Sequence, residues 1–182
     1  HPTVECYEVH DAGKCVARFW LDMHPRKDKY KHAAMFHLKT GAVRDGGVRL
    51  PEACLVCNFP EPKGGDPALL QHRQVTTFFH EFGHLLHHLF GGRQRYLSFS
   101  GIATEFDFVE VPSQMFEEWA WDAGVLQRFA RHWKTGEPIP AELVARMRPA
   151  EEYGNGLRVA QQIYYAALSL SYYDRDPAGL DL

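Results

Sequence analysis

The sequence predicts an α+β fold, in which an N-terminal antiparallel or mixed β-sheet is followed by a helical half. Three features carry that expectation. Apolar and polar residues alternate through much of residues 3–59, and apolar residues then recur at helical spacing from about residue 70 onward. The change of period falls on the proline- and glycine-rich run PEPKGGDP at 60–67. Strands and helices come in separate runs, the pattern of a sheet set beside helices. The 182 residues suit one unit, mainly strands over 1–67 and mainly helices over 68–182.

The strand candidates are TVECYEVHD, KCVARFWLDMH, HAAMFHLKT and ACLVCNF. Cys15, Ala17, Phe19, Leu21 and Met23 share one parity, as a half-buried strand requires. DAGK between the first two reads as a hairpin turn, and RDGG at 44–47 punctuates the last two. In the helical half, Leu70, Val75, Phe78, Phe79, Phe82, Leu85, Leu86 and Leu89 describe one long helix that Gly91-Gly92 stops. A second helical stretch is expected over 105–132, a short one after Pro140, and a fourth over about 151–173.

Composition narrows the function classes. Hydrophobic residues make up 45% and charged residues 24%, values of a soluble globular chain. The net charge of −3 supplies no basic stripe for nucleic acid. No apolar run approaches the roughly 18 residues of a membrane span, and no signal peptide opens the sequence. It starts at His1 without a methionine and reads as an excised piece. Of the four cysteines, Cys54 and Cys57 form a CxxC pattern, but on a strand residues three apart face opposite ways. They read as buried free thiols, which fits a reducing compartment if no disulfide joins Cys6 to Cys15.

One stretch does not fit a plain core helix. TTFFHEFGHLLHHLFGG, residues 76–92, places His80, Glu81, His84, His87 and His88 in an apolar segment where burial makes polar groups costly. His80-Glu81-Phe82-Gly83-His84 is an HExxH pattern. Histidines four apart share a helix face and can meet one zinc ion. Glu81 lies one step round, displaced from the ligand pair but placed to hold the attacking water as general base. His88 cannot join His80 on one ion, because the two are about 12 Å apart along a straight helix axis. His87 fails for the same reason, and both read as polar residues of the last turns.

Zinc held by two histidines needs one more protein ligand. Glu110, in TEFDFVEVPSQMFEEWAWD, lies far enough past His84 for the chain to turn through GGRQRYLSFSG and return on an adjacent helix. Asp107, three residues earlier on the same expected helical face, is positioned to accept the Nδ1 proton of a ligand histidine. Glu105, Glu117 and Glu118 compete as carboxylates. Glu110 and Glu117 would be about 10 Å apart along a helix, so only one of them can be a ligand.

FFHEFGHLLHHLF, SFSG and DFVEVPSQMFEEWAWD together closely resemble the thimet oligopeptidase family. LDMHPRKDKYKHAA and the NF at 58–59 resemble the segment before that family's zinc helix, and HWKTGEPIPAELVARM resembles its later helices. The likeness covers nearly the whole chain. It implies a zincin-like site with one zinc on His80, His84 and Glu110, and Glu81 as the base. It also implies an endopeptidase hydrolysing short oligopeptides. The expected location, in keeping with free thiols, is the cytoplasm, with an organelle matrix as the alternative.

Two departures stand out. The family's acidic HDEV before the zinc helix is HRQV here, with Arg73 and Gln74. Family members are several times longer and carry a glycine- and tyrosine-rich C-terminal loop thought to bind substrate and steady the oxyanion. Nothing in this sequence matches that loop, so no substrate-binding residue is assigned; Tyr164, Tyr165, Tyr172 and Tyr173 read as core or helix-surface residues. The alternatives are a zinc-binding fragment that cannot turn over, and a non-enzymatic domain with merely structural histidines. RLPEACLVC is the candidate edge for an extended peptide. WAWDAGVLQRF and IYYAALSLSYY are expected to leave apolar surface exposed, and so to promote self-association.

Overall fold

The computed structural model describes residues 1–65, 67–174 and 176–179. Its N-terminal part is a four-stranded mixed sheet. Strands β1 (Glu5–Asp11) and β2 (Lys14–Asp22) form an antiparallel hairpin. The turn is the expected DAGK, with Ala12 at φ 47° and Gly13 at φ 77°. Two successive positive φ values match the right-handed twist of a two-residue hairpin. Strand β3 (Ala34–Lys39) leads into a separate small hairpin, β4 (Ala42–Arg44) and β5 (Gly47–Arg49), with RDGG at its tip. Strand β6 (Glu52–Val56) then returns to the main sheet, whose order is β1-β2-β6-β3.

This order corrects one expectation. RLPEACLVC offers no edge, because β6 pairs in parallel with β2 and antiparallel with β3. The edge next to the helices belongs to β3.

A second correction concerns Cys15. Val9 pairs with Ala17 but His10 pairs with Cys15, so β2 carries one extra residue, Val16, at a β-bulge. Such a bulge turns the strand by one side chain. Val16 and Ala17 are both buried, and Cys15 leaves the core face that Ala17 helps to form.

Alternate residues of β6 build the core. Ala53, Leu55 and the following Cys57 join Ala17, Phe59, Leu85 and Leu89, while Cys54 lies outside this cluster. All four cysteines are free, and burial pushes the Cys57 thiol up to about 12. At the end of β2, buried Lys29 donates to the carbonyls of Asp22, His24 and Cys57 at 2.6–2.9 Å. That pins the loop leading to β3.

Helix α1 (His72–Phe90) lays Leu85 and Leu89 on the sheet, with Phe78, Phe82 and Leu86 around them. Gln74 Oε1 accepts from the Gln71 N–H at 2.9 Å, one half of a capping box that gives the HRQV departure a structural use. Gly91 closes the helix as expected.

The single helix expected over 105–132 is three pieces: α2 (Val111–Glu117), a 3₁₀ turn (Glu118–Trp121) and α3 (Ala123–Phe129). Asp122 is the cause of the second break. Its backbone is extended and its side chain accepts from Val125 N–H at 2.8 Å, the geometry of an N-cap. Residues 106–110 are turns, so Asp107 and Glu110 do not share a helical face.

Helix α4 (Ala141–Glu152) follows Pro140, and α5 (Asn155–Ser171) follows the left-handed Gly154 at φ 75°. No helix among the described residues is long and apolar enough to cross a membrane.

Candidate metal centre

The approach of α2 to α1 makes the site, and Gly83 permits that approach. A Cβ at Gly83 would lie 2.7 Å from Ser113 Cα and 2.8 Å from Pro112 O, both backbone atoms. A bare α-carbon therefore lets the start of α2 touch the middle of α1. Glu110 is the N-cap of α2 and is delivered over the face that carries His80 and His84.

Three donor atoms converge there. Glu110 Oε2 is 3.3 Å from His80 Nε2 and 3.1 Å from His84 Nε2. One atom from each of the three residues lies within 4.8 Å of the others. Ser113, fully buried, donates to Glu110 Oε2 at 2.7 Å and so fixes the carboxylate.

The partner of His80 Nδ1 is Glu117, at 2.6 Å, and not Asp107 as the sequence suggested. The helical repeat explains the exchange. Glu117 sits at the C-terminal end of α2, beside α1, whereas Asp107 sits in the exposed turns before α2.

The donor set fits a cation. The Glu117 carboxylate on Nδ1 of His80 holds a proton on that nitrogen. In the Nδ1–H tautomer Nε2 therefore carries the lone pair that a cation takes, facing Glu110 Oε2. Two imidazole nitrogens and one carboxylate oxygen, with Glu110 half exposed, are a donor set that zinc takes with one position left open.

Glu81 leaves this cluster for the sheet. Its Oε2 accepts from the Met35 N–H of β3 at 2.8 Å. His88 is buried and hydrogen-bonds the Lys39 carbonyl through Nε2 at 3.1 Å, so α1 meets the outer edge of β3 twice. Whereas His87 meets the Phe108 ring, with centroids 6.1 Å apart, His88 is thus a helix-docking residue. Burial lowers the pKa of both, with the nearby His84 and His37 acting the same way on each in turn.

A cleft of about 760 Å³ opens beside His80 and Glu117, lined also by Arg73, Thr77, Trp121 and Arg148. Arg73, the other half of the HRQV departure, therefore faces this cleft.

Of the residues the sequence singled out, the structure brings His80, His84 and Glu110 together and directs Glu81 to β3. The contacts of Ser113 and Glu117 were not expected. The i, i+3 spacing of Glu110 and Ser113 at a helix start was the available signal for the first. Glu117 gave none beyond being an acid.

Two histidines one turn apart on a helix, with a carboxylate from the start of the next, form a donor set that could hold a metal ion, of the kind metallohydrolases use. The chain belongs to Peptidase family M3, a family of metallopeptidases, which it matches over residues 1–181. It is similar to a thimet-like oligopeptidase of Dictyostelium discoideum, at 39% identity over 176 residues, 95% of this chain and 26% of the relative. Oligopeptidase A of Escherichia coli K12 is 39% identical over 169 residues, 91% of this chain and 25% of the relative. Dipeptidyl carboxypeptidase of the same bacterium is 38% identical over 174 residues, 95% and 25% respectively. The chain spans about a quarter of the length of the curated relatives it matches.

Proposed function

We propose that this chain forms the catalytic block of a zinc-dependent oligopeptidase that cleaves internal bonds of short peptides. The observation that carries the reading is the convergence of His80, His84 and Glu110, with Glu81 on the same helix directed at the outer edge of β3. One zinc would be held by His80 Nε2, His84 Nε2 and Glu110. Bound there, it would supply Lewis acidity, lowering the pKa of water and polarising the scissile carbonyl.

The remaining roles fall to the protein. Glu81 takes the proton of the attacking water and returns it to the leaving amine nitrogen. Glu117 holds His80 in its Nδ1–H tautomer, and Ser113 holds Glu110 in place. An extended peptide backbone would lie along the part of the β3 outer edge between Met35 and Lys39, where strand addition offers main-chain hydrogen bonds. The Met35 N–H and the Lys39 carbonyl are themselves held by Glu81 and His88.

Two substitutions test the division of labour. Glu110→Gln removes a charged ligand, so zinc content should fall sharply. Glu81→Gln should keep zinc but lose peptidase activity by roughly 10²–10⁴ in the full-length protein. An internally quenched peptide with an amidated C-terminus is the substrate of choice, since release of C-terminal dipeptides would not act on it. Cleavage by Glu81→Gln at the parent rate would sink the mechanism. A parent that binds zinc but leaves every peptide intact would favour the alternative of a metal-binding block without turnover.

A further inference from the structure

We propose that the β1–β2 hairpin carries a second metal site, built from Glu8, His10 and Cys15, that takes a thiophilic divalent cation of the zinc and cadmium class. The three residues each offer a ligand atom within 4.8 Å of the others. Their meeting is a consequence of the bulge. Glu8 and His10 are two apart on β1 and share its solvent face. In an unbroken register Cys15 would share the core face with Ala17. The extra residue Val16 instead sets Cys15 opposite His10 and turns its sulfur toward the pair.

The local chemistry is prepared for a cation. Glu8 Oε2 lies 3.0 Å from His10 Nε2, while Oε1 is taken by Arg18 Nε at 2.9 Å. Hydrogen bonds from His10 and Arg18 keep the Glu8 carboxyl below its ordinary range, so it is an anion at neutral pH. Cys15 has only a weak contact to the Ala17 carbonyl, at 3.6 Å, to give up. On binding, the thiol loses its proton to solvent and the thiolate, one imidazole nitrogen and one carboxylate oxygen become the ligands. A thiolate in the set favours zinc, cadmium or a similarly soft ion over magnesium or calcium.

The site is independent of the centre on α1. Strands β1 and β3 are opposite edges of the sheet, three strand spacings or about 14 Å apart. A cation here would staple β1 to β2 at the bulge, where the ladder is interrupted.

Cadmium is the probe, because only a thiolate ligand gives the sulfur-to-cadmium charge-transfer absorption and the α1 centre has no sulfur. Titrating cadmium into the zinc-loaded protein should raise that band to a stoichiometry of about one per chain. Cys15→Ser should abolish it, whereas Cys6→Ser and Cys54→Ser should keep it. His10→Ala and Glu8→Gln should each weaken cadmium binding about tenfold or more, as expected for a lost ligand. All of these positions face solvent or lie outside the core, and far-ultraviolet circular dichroism verifies that each variant is folded. A band that survives Cys15→Ser, or an affinity indifferent to both His10→Ala and Glu8→Gln, overturns the proposal.

Discussion

At Gly83 one hydrogen in place of a methyl group decides whether Glu110 reaches the histidines. Gly83→Ala should gain up to about 1 kcal/mol in helix propensity. It must also push a Cβ against Ser113 Cα and Pro112 O, and backbone atoms cannot move aside as a side chain can. Overpacking of that kind costs about 1–3 kcal/mol, so the variant should melt lower and bind zinc more weakly, both measurable by calorimetry. A variant as stable and as zinc-avid as the parent would show that the helices can separate without loss.

His88 makes a second residue-scale case. Its Nδ1 is buried without a hydrogen-bond partner and abuts Gly101, where φ is 77°. Burial holds its pKa below the usual 6.5, and the neighbouring His37 and His87 press the same way, against opposing backbone hydrogen bonds. The folded state therefore prefers the neutral ring. The stability this contributes is present above about pH 6.5 and is lost as the pH falls through the lower folded value. Melting temperature of the metal-free protein should drop on acidification, and His88→Gln should flatten part of that drop. An unchanged acid limb in His88→Gln would assign the loss to other groups.

Helix α1 is where the elements meet. Its apolar face covers the sheet, Glu81 and His88 hold the outer edge of β3, and Gly83 receives α2. The 3₁₀ turn closes the far end, with His72 Nε2 bonding the Ala120 carbonyl at 2.7 Å. The short α2 supplies both acids, Glu110 from its start and Glu117 from its end, one on each side of the His80 ring. Glu117→Ala removes the group that fixes the His80 tautomer without touching the donor set. Zinc affinity should fall about 10–100-fold while Glu117→Gln, which can still accept from Nδ1, falls less. Equal losses in the two variants would point to charge alone.

At the scale of the molecule, packing is uneven. Of the two stretches expected to be exposed, WAWDAGVLQRF is partly absorbed, since Ala120 and Leu126 are buried. The other is as open as expected. No residue of α5 is buried, and Leu157, Ile163 and Tyr164 are 81%, 63% and 61% exposed. Tyr164 and Tyr165 lie on the exposed surface of α5, and Tyr172 and Tyr173, just past its end, are exposed as well, so none of the four is core. An apolar helix face of that size favours association. The isolated 182-residue chain should form dimers or larger species in light scattering, and Ile163→Lys with Leu170→Lys should shift it toward monomer. A strict monomer at high concentration would contradict this.

Local spacing was enough for much of this protein. Period two and period 3.6 marked the strands and α1, Gly91 marked where α1 ends, and histidines four apart marked a shared face, because each of these depends on neighbours within one or two turns of chain. The order of strands did not follow from spacing: β6 had to be seen between β2 and β3 before the edge could be given to β3. The break at Asp122 and the bulge at Val16 were hidden because each changes one residue inside a pattern that otherwise continues. The partner of His80 was hidden for a different reason. Asp107 and Glu117 are equally acidic in sequence, and only the packing of α2 against α1 through Gly83 brings the second of them to within 2.6 Å of the ring.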